Sequence, residues 1–276
     1  MCRVCNGIKL KAVLNHPKGW SLLQCEECGL AFKTGVTTSY ENLQAEYYER
    51  FNFDRSREAS EVTRIMRNHI QMDNPLSILE IGCGTGALLN EFRKHGMKVY
   101  GFEPSANAVR ISRERFGLST IKTGYFTHNT FDIKPNVILL YDVIEHLEEP
   151  LQLLNAISGS MDRDCICIIK SGNPQSLNAK LYPKKWGYYL NDEHVAFYSL
   201  TALRTLCGKS NLKVEKYYNF RHAYGGLAAL ALGKNIVRAV INRSIEWSTG
   251  YQERLFIELA NDHFVAVLKR ADGEKK

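Results

Sequence analysis

Alternating glycines follow an apolar run in Ser77-Ile-Leu-Glu-Ile-Gly-Cys-Gly-Thr-Gly-Ala87. A glycine-rich turn between a strand and a helix lets the backbone approach a ligand closely. The helix N-terminus behind it favours a carboxylate or phosphate. Glu103 closes the next apolar run, where a carboxylate can accept hydrogen bonds from both hydroxyls of a ribose. A second string, Tyr141-Asp-Val-Ile-Glu-His-Leu-Glu-Glu-Pro150, is another strand end running into a helix. Its Asp142, Glu145 and His146 are groups that can move protons or hold a polar substrate. Glu193 and His194 form a second such pair, an imidazole beside a carboxylate, poised near neutral pH. Together the strings describe a site for a nucleoside-bearing cofactor with an acceptor beside it.

Cys2-Arg-Val-Cys5 and Cys25-Glu-Glu-Cys28 are two knuckles separated by 19 residues. A two-residue gap turns both thiolates of a pair toward one ion, and two knuckles complete a tetrahedral four-sulfur site that suits zinc. Four thiolates leave no open position, so the metal is structural. Gly29 provides the turn after the second knuckle. Short strands at 10–14 and 20–24, joined by Asn15-His-Pro-Lys-Gly19, complete a zinc ribbon.

The elements that must position these groups follow from hydrophobic pattern. Helices are expected over 40–50 and 55–72, ended by Asp73-Asn-Pro75. From Ser77 onward strands alternate with helices: strands at 77–81, 98–102, 120–123, 136–141, 165–170 and 212–218, helices at 87–95, 106–116, 151–158 and 200–210. Two late strands, 253–259 and 263–269, are joined by Ala260-Asn-Asp262, one of them antiparallel at the sheet edge. The expected fold is α/β, Rossmann-like, with a seven-stranded mostly parallel sheet, helices on both faces and a small ribbon in front. Residues 1–35 are assigned to the ribbon, 36–75 to a helical linker or cap, and 76–276 to the core. Acceptor-side segments are expected near 174–199 and 221–250.

The 276 residues, 45% of them hydrophobic, suffice for one sizeable core and a satellite. No apolar run approaches the ~18 residues of a membrane span, and residues 1–30 lack a signal peptide's pattern. A cytoplasmic location is the default expectation. The net charge of +7 is compatible with an anionic substrate, nucleic acid or membrane surface and selects none of them.

A dinucleotide site remains open on the glycine pattern, since Gly82, Gly84 and Ala87 satisfy its looser form. Glu80, placed to meet an ammonium, weighs against it, and so does the second string, which that reading leaves without a role. Leu79-Glu-Ile-Gly-Cys-Gly-Thr-Gly86 resembles the first motif of class I S-adenosylmethionine-dependent methyltransferases. Phe102-Glu-Pro104 resembles their ribose-binding acidic motif. Asp142-Val-Ile-Glu-His-Leu147 resembles the motif after strand four in the subgroup that includes ubiquinone-pathway and sugar methyltransferases. Trp186 and Glu193-His-Val-Ala-Phe-Tyr-Ser199 resemble that subgroup's acceptor-side segment.

The resemblance covers roughly residues 76–220. A four-cysteine ribbon before such a core also resembles sugar C-methyltransferases, which often carry a longer C-terminal part. It implies S-adenosylmethionine held by Glu80, Gly82, Cys83, Gly84, Gly86, Glu103, Pro104, Tyr125, Phe126, Tyr141 and Asp142. It also implies acceptor chemistry at His194, His146 and Glu193, with structural zinc on Cys2, Cys5, Cys25 and Cys28. Where the subgroup has a Phe-Asp pair opening strand four and an acidic residue near adenine, this chain has Pro135-Asn-Val137 and Thr123-Gly-Tyr-Phe-Thr127. That leaves Tyr125 or Phe126 to stack on adenine.

The aromatic and basic stretch 174–192 serves either as an acceptor surface for a sugar, planar ring or phosphate, or as a loop packed on the sheet. The apolar stretch 224–247 serves as a cap over the acceptor or as a membrane-surface helix. A small or carrier-linked acceptor is expected, with a nucleotide-linked sugar or saccharide as the leading choice. An RNA methyltransferase gripping its substrate with the ribbon is the rival, although Arg3, Lys9 and Lys11 are few for a nucleic-acid surface. A cofactor-binding module without turnover and an NAD-dependent oxidoreductase complete the alternatives. Acceptor atom and oligomeric state are not encoded in these patterns.

Overall fold

The computed structural model describes residues 1–36, 48, 53–72, 75–128, 133–220 and 262–271. The helix expected over 40–50, apart from Tyr48, the strand over 253–259 and the segment 221–250 lie outside the described residues.

Three antiparallel strands open the chain: β1 (Leu10–Asn15), β2 (Ser21–Cys25) and β3 (Ala31–Thr34). Helix α1 (Ser56–Arg67) follows. The alternating part runs β4 (Ser77–Ile81), α2 (Ala87–Lys94), β5 (Lys98–Glu103), α3 (Ala106–Phe116), β6 (Ile121–Thr123) and β7 (Val137–Tyr141). It continues through α4 (Pro150–Ser160), β8 (Ile166–Gly172), the short α5 (Leu177–Leu181) and α6 (Gly187–Leu190), and β9 (Ala196–Phe197). The chain then forms α7 (Leu200–Gly208), β10 (Leu212–Phe220) and β11 (His263–Arg270).

Among the described residues the larger sheet has seven strands in the order β10-β11-β8-β7-β4-β5-β6. Strands β8, β7, β4, β5 and β6 are mutually parallel. β11 runs antiparallel to both β8 and β10. Of the two late strands, β11 lies between β8 and β10 and not at the edge of the sheet among the described residues, while 253–259 lies outside them. The central strands are buried on both faces, as parallel strands must be when helices cover them. Alternate residues of β7 divide between two cores. Ile138 and Leu140 meet Leu154 and Ile157 of α4 and Leu203 of α7, while Leu139 joins Val62, Phe92 and Val109 of α1, α2 and α3.

Local chemistry sets the helix ends. Ser105 and Ser199 cap α3 and α7 by accepting from the backbone N–H of Ala108 and Ala202. Gly86 sits before α2 at φ +72°, where an added Cβ would lie 2.6 Å from Ile121 Cδ1. Only glycine fits this junction.

The smaller sheet, β1-β2-β3-β9, was not legible in the sequence pattern beyond its first two strands. Its fourth strand comes from the far end of the acceptor-side segment: Ala31 pairs with Phe197 and Phe32 with Ala196. Cys2, Cys25, Cys28, Leu30 and Phe32 share one apolar cluster with Tyr198, Leu203 and Leu206. Ser199 Oγ donates to the Cys28 carbonyl at 2.7 Å while capping α7. The cysteine-bearing strands are thus built into the core surface.

Candidate functional site

The sheet's strand order reverses between β4 and β7, and open α/β sheets bind ligands outside the strand ends at such a point. A cleft of about 650 Å³ lies there, within the size range of small-molecule sites. Glu80, Gly82, Cys83, Gly84, Glu103, Pro104, Tyr125, Phe126, Tyr141, Asp142, His146, Glu193 and His194 all line it. Of the residues anticipated around the cofactor, Gly86 alone does not reach the wall. It shapes the start of α2 instead. Tyr48, Arg55, Val143 and Asn191 also line the cleft, a contribution no motif announced.

The glycine turn is held by Glu103. One carboxylate oxygen accepts from the Gly84 N–H at 2.8 Å and the other from the Ser105 N–H at 2.9 Å. Burial raises this carboxyl, and the two N–H donors oppose the rise. Each oxygen keeps a second lone pair for a ligand hydroxyl. Gly84 has φ +52° and no atom within 4 Å of where a Cβ would be, so its position is an open cradle. Gly82, at φ +71°, lies where a Cβ would meet Val143 Cγ2 at 2.7 Å. The Cys83 thiol is turned inward, close to where a side chain on Gly101 would sit.

Glu80 is buried at the base of the turn, and among the described residues its Oε2 has no hydrogen-bond partner. Burial pushes its carboxyl up to about 8, Arg55 pulling down only in part. A buried carboxylate oxygen left unpaired is costly, and a cationic ligand group would satisfy it. The orphaned oxygen, the open cradle and the ribose-competent Glu103 together fit S-adenosylmethionine, with its ammonium, carboxylate and ribose. Phe126 is buried edge-on against Phe102, their centroids 5.3 Å apart, whereas Tyr125 is largely exposed at the mouth.

On the other wall, Asp142 has φ +54°, a strained value for a non-glycine residue. Its Oδ2 lies 3.1 Å from Lys170 Nζ, and Lys170 is 1% exposed. Burial would raise the Asp142 carboxyl, but Lys170, His263 and the Tyr188 hydroxyl overcome it and hold the group well below the usual carboxylate range. Tyr188 Oη lies 2.8 Å from Asp142 Oδ1 and 2.8 Å from Glu145 Oε1. One hydroxyl proton serves one acceptor, so the second contact needs a proton on a carboxyl. Glu145 supplies it: burial and the Asp142 charge push its carboxyl up to about 8. Its Oε2 accepts from Ser171 Oγ at 2.9 Å. Lys170, Tyr188 and Ser171 escaped sequence reading because each is ordinary alone. Only the pairing of β7 with β8 brings them to the motif.

The two histidines stand edge to face, their centroids 4.8 Å apart. His146 Nδ1–H donates to the Glu193 carbonyl at 3.0 Å, which leaves Nε2 as its basic atom. Burial lowers its pKa. His194 differs. Its Nδ1 faces the Tyr188 carbonyl at 3.1 Å and its Nε2 the Asn191 amide nitrogen at 3.1 Å. Asn191 Oδ1 is committed to the Glu193 N–H at 3.0 Å. The amide therefore presents its NH2 to His194, whose Nε2 must accept. Burial and then the neighbouring His146 push His194 down to about 3. With both nitrogens engaged and so low a basicity, its ring is suited to holding shape more than to taking protons. Glu145, His146 and His194 place ligand-type atoms within 4.8 Å of one another. The hydrogen bonds of Glu145 and His194 already occupy those atoms, and the group reads as a polar network.

The aromatics of 174–192 do not form a cleft wall. Trp186 and Tyr189 are buried in a cluster with Leu14, Trp20 and Leu22 of the first strands. This favours the packed-loop alternative over an aromatic acceptor surface. The four knuckle thiols converge, with Cys2 Sγ 3.6 Å from Cys28 Sγ and Cys5 Sγ 3.5 Å from Cys25 Sγ. Four sulfurs about 2.3 Å from a central zinc would lie about 3.8 Å apart, so the cluster has the right size. Among the described residues no helix is long and apolar enough to cross a membrane.

Residues 41–217 match a family described as a methyltransferase domain. A ubiquinone biosynthesis O-methyltransferase of Rhodopseudomonas palustris (strain HaA2) is 28% identical over 102 residues, 36% of this chain and 40% of that protein. The chain thus matches less than half the length of this curated relative. A crystal structure of an S-adenosylmethionine-dependent methyltransferase from Archaeoglobus fulgidus superposes with a TM-score of 0.57 at 17% identity, covering 82% of this chain and 98% of that one. A plantazolicin methyltransferase in complex with S-adenosylhomocysteine superposes with a TM-score of 0.51 at 18% identity, covering 82% and 88%. At these identities the superpositions show a common fold.

Proposed function

Because the chain belongs to the methyltransferase-domain family, which uses S-adenosylmethionine, we propose that the protein moves the cofactor's methyl group to a small-molecule acceptor. The observation that carries this reading is the buried, unpartnered Glu80 Oε2 at the foot of an open glycine cradle. It provides for an ammonium, and nothing in a dinucleotide calls for one there. Glu80 would meet the ammonium, the Gly84 turn the carboxylate end, Glu103 the ribose, and Phe126 with Tyr125 the adenine.

The cofactor supplies an activated methyl on a sulfonium, and displacement at that carbon needs the acceptor in line. The protein's part is to align the acceptor and take its proton. His146, which lines the cleft with Nδ1 bound to a carbonyl, is the base by this reading. Glu193 holds His146 through its backbone, and His194 packs beside it. Asp142 lines the cleft, with Tyr188 and Glu145 hydrogen-bonded behind it.

A hydroxyl acceptor is the leading choice, supported by the named O-methyltransferase relative. Nothing among the described residues selects a saccharide. Glu148, Glu149 and Glu193 line the cleft, against one described arginine, Arg55. That carboxylate excess disfavours polyphosphate acceptors, RNA included. The ribbon cysteines are proposed to bind one structural zinc ion.

The test is incubation with methyl-labelled S-adenosylmethionine and fractionated cell extract. Label in small-molecule fractions supports the reading, and label confined to RNA replaces it with the RNA reading. S-adenosylhomocysteine binding with no label anywhere marks a binding module. Thermal stabilisation by NAD but not by S-adenosylhomocysteine would select the oxidoreductase.

A further inference from the structure

The turn that ends β7 is built to present an ionised carboxylate. Asp142 takes φ +54° there, and its N–H donates to the Lys170 carbonyl at 3.0 Å. Its Oδ2 is held by Lys170 Nζ at 3.1 Å and its Oδ1 by the Tyr188 hydroxyl at 2.8 Å. Tyr188 reaches Asp142 by lying on Gly172, where an added Cβ would come 2.2 Å from Tyr188 Cδ1. Gly172 ends β8 without a positive φ, so space alone calls for glycine there. The ion pair is directional: the Lys170 side chain is 1% exposed and the Asp142 side chain 35%. Its negative end therefore faces the cleft, which Asp142 lines. A strained backbone and a buried lysine both destabilise a fold, and strain of this kind clusters at ligand sites.

The chemistry of the cofactor says what this charge can meet. Glu103 at the end of β5 is placed for the ribose and Glu80 in β4 for the ammonium. The sulfonium lies between those two parts of the molecule, and its methyl must point at the acceptor. The acceptor's proton goes to His146, which stands in the Ile144–His146 turn just after Asp142. β7 is the neighbour of β4 on the side away from β5. Asp142 thus stands on the wall toward which the methyl points. We propose that Asp142 faces the sulfonium and reads its charge, so that the cleft holds the methylated cofactor more tightly than the demethylated product. On methyl transfer the electron pair of the broken carbon–sulfur bond stays on sulfur. The sulfonium becomes a neutral thioether, Asp142 loses its counter-charge, and the spent cofactor exchanges for a fresh one. The inference deepens, and rests on, the reading of the cleft as an S-adenosylmethionine site.

The experiment is isothermal titration calorimetry of the full chain at pH 7 with two ligands. One is S-adenosylhomocysteine. The other is sinefungin, which carries an ammonium on carbon in place of the sulfonium and its methyl. Both have the same adenosine and amino-acid ends, so Glu80 and Glu103 act alike on the two and cancel in the ratio of Kd values. The wild type should bind sinefungin at least about tenfold more tightly, as a charge-assisted contact implies. Asp142→Asn should bring the two ligands within about twofold of each other. Asp142→Asn with Lys170→Met removes both charges, leaves no buried ammonium unpaired, and should do the same. Glu148→Gln with Glu149→Gln removes charge elsewhere on the cleft wall and should leave the wild-type ratio within about twofold. A wild type that binds both ligands equally overturns the proposal, as does a ratio that survives in either Asp142 variant. An equal loss in the Glu148→Gln, Glu149→Gln variant assigns the discrimination to the acidity of the whole cleft and overturns it too. Binding of neither ligand overturns the cofactor reading itself, and the inference with it.

Discussion

Replacing Glu80 by Gln tests the cofactor side where its electrostatics are least ordinary. The carboxyl sits 4% exposed with an unpartnered oxygen, and burial raises it to about 8. At pH 6 the empty protein holds Glu80 protonated. Pairing with an ammonium requires the ionised form, so binding must expel that proton. Affinity for S-adenosylhomocysteine should then rise about tenfold per pH unit up to pH 8. From pH 6 to the plateau the gain is roughly hundredfold, about 2.7 kcal/mol at 1.36 kcal/mol per unit. Glu80→Gln has no proton to lose and no charge to offer. A charge-assisted hydrogen bond contributes about 1.5–3 kcal/mol, so the variant should bind roughly ten- to hundredfold more weakly at pH 8. Near pH 6 the two proteins should converge, and the variant's affinity should be flat between. Isothermal titration calorimetry in buffers of different ionisation heat also counts the released proton. A wild-type affinity that is flat from pH 6 to 8, or a Gln variant equal to wild type at pH 8, would refute the assignment of the ammonium to Glu80.

Further outcomes are expected. Gly86→Ala places a Cβ at positive φ, 2.6 Å from Ile121 Cδ1 and 2.8 Å from Leu118 Cδ1. It should lose about 2–4 kcal/mol in chemical denaturation. Gly84→Ala meets no atom within 4 Å and should lose only about 1–2 kcal/mol, while S-adenosylhomocysteine affinity falls more than about tenfold because the methyl fills the cradle. Glu145 keeps its proton to about 8 in the folded chain, while in the unfolded chain it ionises near 4.3. Its contribution is full below that unfolded value and is lost as pH rises through about 8, against an opposing gain from the buried histidines, whose lowered pKa values favour the folded chain as pH rises. The thermal stability of Glu145→Gln relative to wild type should therefore rise between pH 5 and 8. Metal analysis should find one zinc per chain. Cys28→Ser should lower Tm by about 8–16 °C, taking a loss of about 4 kcal/mol, because it removes one thiolate of the buried four-sulfur cluster.

The central sheet was readable because its strands carry their own evidence. Val137–Tyr141 and Ser77–Ile81 are continuous apolar runs flanked by turn residues, and a buried parallel strand needs little else. Boundaries were less secure. The helix expected to 72 ends at Arg67, with the Asn68 N–H returning to the Ile65 and Met66 carbonyls. β9 was invisible because a two-residue strand has no periodicity to detect, and its partner Ala31–Phe32 lies more than 160 residues earlier. The same blindness hid α5 and α6, each five residues or fewer. A helix that short is set by packing, here the burial of Trp186 and Tyr189 on the cysteine-bearing strands, and not by its own pattern.

The site divides along the same line. Glycine spacing is local, so the turn and the acidic Glu103 could be located from neighbours in sequence. The electrostatic character of the opposite wall is not local. Asp142 is held low because Lys170 reaches it across the β7–β8 pairing, and Glu145 is pushed up because it is buried and Asp142 is charged beside it. Read as neighbours in a motif, Glu145 and His146 are both groups that can move protons or hold a polar substrate. Their partners instead place the proton of this wall on Glu145 and leave His146 Nε2 as the basic atom. His194, an equal candidate by residue type, is set apart by two contacts: the Tyr188 carbonyl holds its Nδ1–H, and the Asn191 amide, oriented by the Glu193 N–H, donates to its Nε2. What separates the two histidines is therefore burial and hydrogen bonds from residues outside the motif, and a motif carries no record of those contacts.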